Sequence, residues 1–253
     1  MSSEGYPEIT AKKYHFPPTP LIPNSPCPLL HYPSILLKSS PSSAYEASPN
    51  SLPVANTIAL RANNLFSINK WDPQWIYRYD PTQQAHYHSR VHECMAVLSG
   101  EASITFGAAD SEIDAKSQES SAVPDEGSGH ASSQGITLTA RAGDVFVIPA
   151  GVAHKTHSVT AGSSFALLTP GDGHGITGKE GKASNLEMEE ILSGVQLTGF
   201  TMFGAYPASR AEGWDFAVGG EDVGEYEKVW SIPMPECDPI YGMNEIGLTK
   251  LWA

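Results

Sequence analysis

The chain has 253 residues with 15 basic and 28 acidic side chains, a formal charge of −13, and no Lys/Arg cluster, so it is not built to neutralise a phosphate backbone. Hydrophobic residues make up 40 %, enough for a full core in one domain, while 23 Gly and 20 Pro favour strands and turns over long helices. Three widely spaced cysteines suggest neither a disulfide framework nor a thiolate zinc site.

The opening "MSSEGYPEITAKK" has no apolar signal core, and no later run approaches the ~18 apolar residues of a membrane span. A soluble cytoplasmic protein is therefore expected. Residues 1–55 carry most of the proline and a Ser-rich stretch; fixed φ angles and missing donors predict an extended arm lying on a body built by later residues. From residue 56 to about 210, short β-branched and aromatic runs follow: "TIALRA", "WIYRY", "CMAVLSG", "ASITFG", "GITLTA", "DVFVIPAG", "SFALLTP" and "LTGFTMFGAYP". Each is strand length and most end at Gly, Pro or Ser, the rhythm of an antiparallel sandwich or barrel. Cys94, within one of these runs, reads as a small buried hydrophobe. Residues 108–134, which include His130, are almost free of large apolar groups and are expected to form a mobile insertion. "NLEMEEILSG" has helical spacing, and so does the pattern stopped by Pro233 in the 211–253 extension.

The stretch "HYHSRVHE", residues 86–93, holds three of the nine histidines. In a strand, His86 and His88 share a face, and two imidazoles projecting together form half of a metal site. A second block, "GDVFVIPAGVAHKTH", places His154 on the strand after a Pro149-Ala150-Gly151 turn, from which it can close on the pair. For a fourth ligand, parity alone prefers His92, four residues after His88. Glu93, five residues on, reaches the same face only if "SRV" contains a bulge or turn that resets the register. His92 is also a candidate acid–base group beside Glu93. Trp75, Tyr77 and Tyr79 alternate on one face with Arg78 on the other; such a stripe is core more often than not, and otherwise lines a mouth that would grip a planar or apolar substrate. His157 and His174 read as structural or solvated.

From His86 to Gly100 the pattern is H-x-H-x4-E-x6-G, and from Gly143 to His154 it is G-x5-P-x-G-x2-H. Together these resemble the two motifs of the cupin superfamily, although Ser158 stands where the second motif usually continues to Asn. The resemblance implies an all-β jelly-roll barrel, RmlC-like or germin-like, with a Pro-rich N-terminal arm and short C-terminal helices. It also implies one divalent ion held by His86, His88, Glu93 and His154. "HYHSRVHE", "IPNSPCPLLHYPSIL" and "GAYPASRAEGWDF…IPMPECDPIYG" further resemble the YjlB-like cupins, whose pattern includes His92 and covers Tyr206, Trp214 and Asp215.

Three imidazoles and a carboxylate around a divalent cation leave about +1 of charge, which favours an anionic or enolisable oxygen ligand. Iron, manganese, nickel, cobalt, zinc and copper all suit the set, and the Irving–Williams order does not choose among them. The expectation is a dioxygenase-like, isomerising or decarboxylating enzyme acting on a small acid, enol or phenolic substrate, with Tyr77, Tyr79 and Tyr206 as candidates for lining the pocket. The alternatives are a non-catalytic metal-binding or ligand-sensing cupin and a metal-independent RmlC-type epimerase; the acidic balance and complete ligand set weigh against the latter. Cupins often pair through N-terminal arms, so a homodimer is expected, with neither nucleic acid nor membrane as partner.

Overall fold

The structure is a computed structural model and describes residues 11–38, 54–81, 83–119, 135–159, 164–211 and 213–253. In chain order its strands are β1 (Lys12–Tyr14), β2 (Leu29–Tyr32), β3 (Trp71–Arg78), β4 (His86–Tyr87), β5 (Glu93–Ser99), β6 (Glu101–Phe106), β7 (Ile136–Arg141), β8 (Val145–Ile148), β9 (His154–His157), β10 (Ala166–Leu167), β11 (Thr177–Gly178), β12 (Gly181–Lys182), β13 (Thr201–Pro207) and β14 (Ala217–Val218). The helices are α1 (Val54–Ile68), α2 (Asp110–Glu119), α3 (Asn185–Gly194), α4 (Tyr226–Trp230) and α5 (Leu248–Leu251).

Two antiparallel sheets form the body. The larger runs β1-β2-β8-β5-β13-β3-β10 and the smaller β14-β4-β9-β6-β7, while β11 and β12 pair separately. Between the sheets lies one apolar cluster that includes Leu29, Trp75, Met95, Val97, Ile104, Phe106, Phe146 and Met202. A second cluster covers the outer face of the larger sheet, where Leu30, Cys94, Ala96, Leu98, Val147 and Phe203 meet α1, α3 and the C-terminal residues Ile240 and Leu248. Both faces of β5 and β8 are thus buried, which is why their sequences are continuous apolar runs and not alternating ones. Cys94 is fully buried.

"TIALRA", expected as a strand, lies inside α1 instead. The buried residues Ile58, Ala59, Ala62, Leu65 and Phe66 recur at spacings of three and four, a helical period that a six-residue window cannot separate from strand alternation. Asn56 ties this helix to the end of α3 by donating to the carbonyls of Leu192 (2.7 Å) and Val195 (3.1 Å). Residues 12–14 and 29–32 of the expected arm are strands at one edge of the larger sheet.

The expected insertion is not wholly irregular, since its first part is α2. Glu112 caps that helix by accepting the Ala109 N–H (2.7 Å), and Asp110 pairs with Lys155 on β9 (2.5 Å). Residues 120–134, with His130, lie outside the described residues. Helix α3 begins at a capping box in which Ser184 and Glu187 each accept the other's backbone N–H. Among the described residues no helix is long and apolar enough to cross a membrane.

Candidate metal centre

The smaller sheet brings the two histidine blocks together. β4 pairs antiparallel with β9 in a register that sets His86 opposite His154. The Pro149-Ala150-Gly151 turn delivers β9: Gly151 has φ +86°, which glycine adopts without strain, and its N–H donates to the His88 carbonyl (2.9 Å). Residues 88–92 leave the strand. The bend is held by Asp215, whose carboxylate accepts the N–H of Ser89 (3.0 Å) and of Arg90 (3.1 Å). The register therefore resets before β5, and Glu93 falls in phase with the inward residues Met95 and Val97. His92 falls in phase with the outward Cys94.

His86, His88, Glu93 and His154 are each no more than 5 % exposed. Nδ1 of His86 faces the Gln84 carbonyl (3.1 Å), Nδ1 of His154 faces the Val152 carbonyl (3.3 Å), and Nδ1 of His88 makes a short contact with the Asp215 carbonyl. A carbonyl only accepts, so each Nδ1 carries a hydrogen, and in the neutral ring Nε2 is left with its lone pair. Backbone carbonyls that fix tautomer and ring orientation in this way are the usual outer partners of metal-binding histidines. Ring nitrogens of the three residues lie within 4.8 Å of one another. Glu93 stands against them, with Oε1 3.2 Å from His88 Nε2 and Oε2 3.3 Å from His154 Nε2. Bare lone pairs facing a carboxylate at these distances repel unless a proton or a cation lies between them, so the residues fit a bound cation.

Burial acts against every charged form here, and the neighbours decide the outcome. For His86, burial and then the adjacent His154 and His88 push the pKa well below the ordinary value. His154 is brought down by burial to about 4, against the pull of Glu93. Burial also opposes charging His88, but the Glu93 carboxylate and the contacts to Asp215 outweigh it and the pKa rises. Glu93 would be raised by burial, yet His88, His154 and the Tyr206 hydroxyl hold it at about 2. At neutral pH the centre therefore offers an ionised carboxylate and at least two neutral imidazoles, the forms that bind metal.

His92 is buried but lies apart from these four. Its Nδ1 accepts the Ala150 N–H (3.0 Å) and its ring packs 5.0 Å from that of Trp252. Parity preferred His92 as a ligand only for an unbroken strand; with the bend in place, His92 supports the turn before His154 instead. Burial lowers its pKa to about 4, against the carbonyls of Ile232 and Pro233. The folded value lies below the ordinary 6.5, so the unfolded chain holds more protons in between, and stability is lost as pH falls through that window. Each such histidine contributes up to ~1.4 kcal/mol per pH unit there; His86 and His154 act in the same sense and His88 in the opposite one. His92→Asn keeps an acceptor for Ala150, and it is expected to flatten the dependence of the metal-free protein's melting temperature on pH between about 4 and 6.5 by one proton's share. An unchanged slope would show that His92 does not titrate as described.

The aromatic stripe faces the interior between the sheets. Trp75 and Tyr79 are buried; Tyr77 is half-buried and stacks on Phe165 at 5.0 Å. The Tyr206 hydroxyl donates to Glu93 Oε1 (2.6 Å) and accepts from Trp75 Nε1 (3.3 Å). Two residues that carried no derivable chemistry in the sequence roof the centre: Trp214 stands edge-on to His88 and stacks on Tyr206, and Asp215 holds the bend. Phe216, which sequence reasoning did not single out, stacks on His86 at 4.0 Å while remaining 48 % exposed. No periodic signal marks these residues, because their contacts span more than a hundred positions of chain. His157 bonds Thr105 (2.6 Å) away from the centre, and exposed His174 stacks on Trp214.

The family model described as Cupin matches residues 82–193, which include both histidine blocks. A crystal structure of vicilin from Corylus avellana (hazelnut) aligns over 55 % of this chain and 22 % of its own, at 16 % identity and a TM-score of 0.23, a likeness too slight to bear on function. No curated protein matches. Residues 82–193 are thus similar to the cupin family, within antiparallel sheets consistent with a jelly roll, and contain three buried histidines grouped so that they could hold a metal ion.

Proposed function

We propose that this chain is a metal-dependent enzyme, related to the YjlB-like cupins, that transforms a small organic acid, enol or phenolic compound by oxygenation, isomerisation or decarboxylation. The observation that supports it is the pinning of three imidazoles by backbone carbonyls, so that their free Nε2 atoms meet an ionised, buried carboxylate. His86, His88, His154 and Glu93 would hold the ion, and the ion supplies Lewis-acid polarisation of a substrate oxygen. The protein's own residues do the rest. Trp214 and Phe216 exclude water from above, and Phe216, half in solvent, is the side chain that must yield for entry. Tyr77 and Tyr79, with Phe165, give the approach an aromatic wall suited to a planar molecule. In this reading the protein works in the cytoplasm as a homodimer, without nucleic acid or membrane.

Metal analysis of the purified protein and of His86→Ala tests the proposal. The wild type should hold about one divalent ion per chain and the variant close to none, with melting temperatures that differ little. Collapse of the variant would make the ion structural. Absence of turnover across a panel of 2-oxo acids, enols and phenols, with each candidate metal supplied, would overturn the enzymatic part.

A further inference from the structure

The two oxygens of Glu93 are not equivalent. Oε1 accepts a 2.6 Å hydrogen bond from Tyr206 and stands 3.2 Å from His88 Nε2, whereas Oε2, 3.3 Å from His154 Nε2, is buried and accepts no hydrogen bond among the described residues. Tyr206 is itself fully buried, and the Trp75 indole N–H donates to its hydroxyl oxygen. With that oxygen engaged, the phenol's single proton goes to Glu93 at 2.6 Å in preference to His88 Nε2, 3.4 Å away. The indole reaches this position because residue 204, its neighbour on β13, is glycine: a Cβ there would run into the Trp75 ring.

We propose that Tyr206 is a positioning residue that makes Glu93 a one-oxygen ligand, through Oε2, and thereby keeps a place on a bound ion open for an incoming oxygen ligand. The inference rests on the metal-binding reading above. A carboxylate can bind a cation through one oxygen or two, and nothing in a bare glutamate chooses between them. Here the choice is made by a short O–H···O⁻ bond, among the stronger hydrogen bonds a protein can form. Turning Oε1 onto the ion would draw it away from a fully buried phenol donor and lengthen or misalign that bond, a cost met only if the second oxygen bond is worth more. Glu93 is thereby held through Oε1 on its His88 side, and β3, β5 and β13 contribute Trp75, Glu93 and Tyr206 to the arrangement.

The test uses the full-length protein titrated with Co(II) alone, after uniform labelling of glutamate with ¹³C at the carboxyl carbon. The metal-loaded minus metal-free infrared difference spectrum reports the separation between antisymmetric and symmetric carboxylate stretches, which is wide for one-oxygen and narrow for two-oxygen binding. The wild type is expected to show the wide separation. Tyr206→Phe is expected to narrow it, with the Co(II) absorption shifting to the weaker bands of a higher coordination number. A narrow separation in the wild type overturns the proposal without reference to any variant, so the test survives a Tyr206→Phe that does not fold. A Tyr206→Phe that binds Co(II) with wild-type spectra also overturns it while leaving the metal reading intact. Failure of the wild type to take up Co(II) is a different result: it removes the metal reading, and this inference falls with it.

Discussion

Glu93→Gln is expected to empty the candidate metal centre while leaving the fold in place. The amide oxygen can still accept from Tyr206, as Oε1 does now, so the side chain keeps its orientation. The amide nitrogen then takes the place of Oε2, 3.3 Å from His154 Nε2, and donates to the lone pair that a metal would need. The substitution therefore removes the negative charge and occupies a neighbouring ligand in one step. Its effect on metal affinity should exceed the ~10–100-fold that loss of an outer partner costs. The stability of the metal-free protein should fall only modestly: removing one partner of a buried ion pair is costly when the other stays charged, but without Glu93, burial drives the His88 proton off. Chelator competition and thermal melts of the metal-free protein measure the two effects; undiminished affinity would mean that Glu93 is not a ligand.

Asp215→Ala is expected to weaken the same centre from outside it. Two backbone N–H groups, of Ser89 and Arg90, end on its carboxylate, and its carbonyl orients His88. Without the side chain the bend between His88 and Glu93 loses its anchor, and with it the register that turns Glu93 inward. Metal affinity should fall ~10–100-fold, and stability by ~1–2 kcal/mol, the lower part of the range for hydrogen bonds to a charged group because Asp215 is only half-buried. Asp215→Asn keeps one acceptor and should lie between the wild type and Asp215→Ala. Amide hydrogen exchange at Ser89 and Arg90 should quicken in step with the loss of affinity. Wild-type exchange rates at both positions would show that the carboxylate does not hold the bend.

The three histidines were legible in the sequence because their arrangement is local and periodic: His86 and His88 are two apart, and a Pro-Gly turn fixes where His154 begins its strand. The choice between His92 and Glu93 was not. Parity counts along an unbroken strand, but the chain leaves the strand at residues 88–92 under the hold of a carboxylate 126 positions away from Ser89. Long-range contacts of that kind leave no trace in spacing, and for the same reason neither the bond from Tyr206 to Glu93 nor the roof of Trp214 and Phe216 could be derived beforehand. In the fold, the strands buried on both faces announced themselves as apolar runs, whereas α1 was hidden: the helical recurrence of Ile58, Ala62, Leu65 and Phe66 shows only over a window longer than a strand. Helix α2 was missed because its composition is that of a loop, and its start is fixed by Glu112 capping Ala109 and by the pairing of Asp110 with Lys155.

The most direct measurement is anomalous diffraction from crystals of the wild-type protein grown with divalent metal, with data collected across the absorption edges of manganese, iron, cobalt, nickel, copper and zinc. A single anomalous peak should stand among Nε2 of His86, His88 and His154 and one oxygen of Glu93. A map without density there, or one in which the three imidazoles turn away from a common point, would contradict the account.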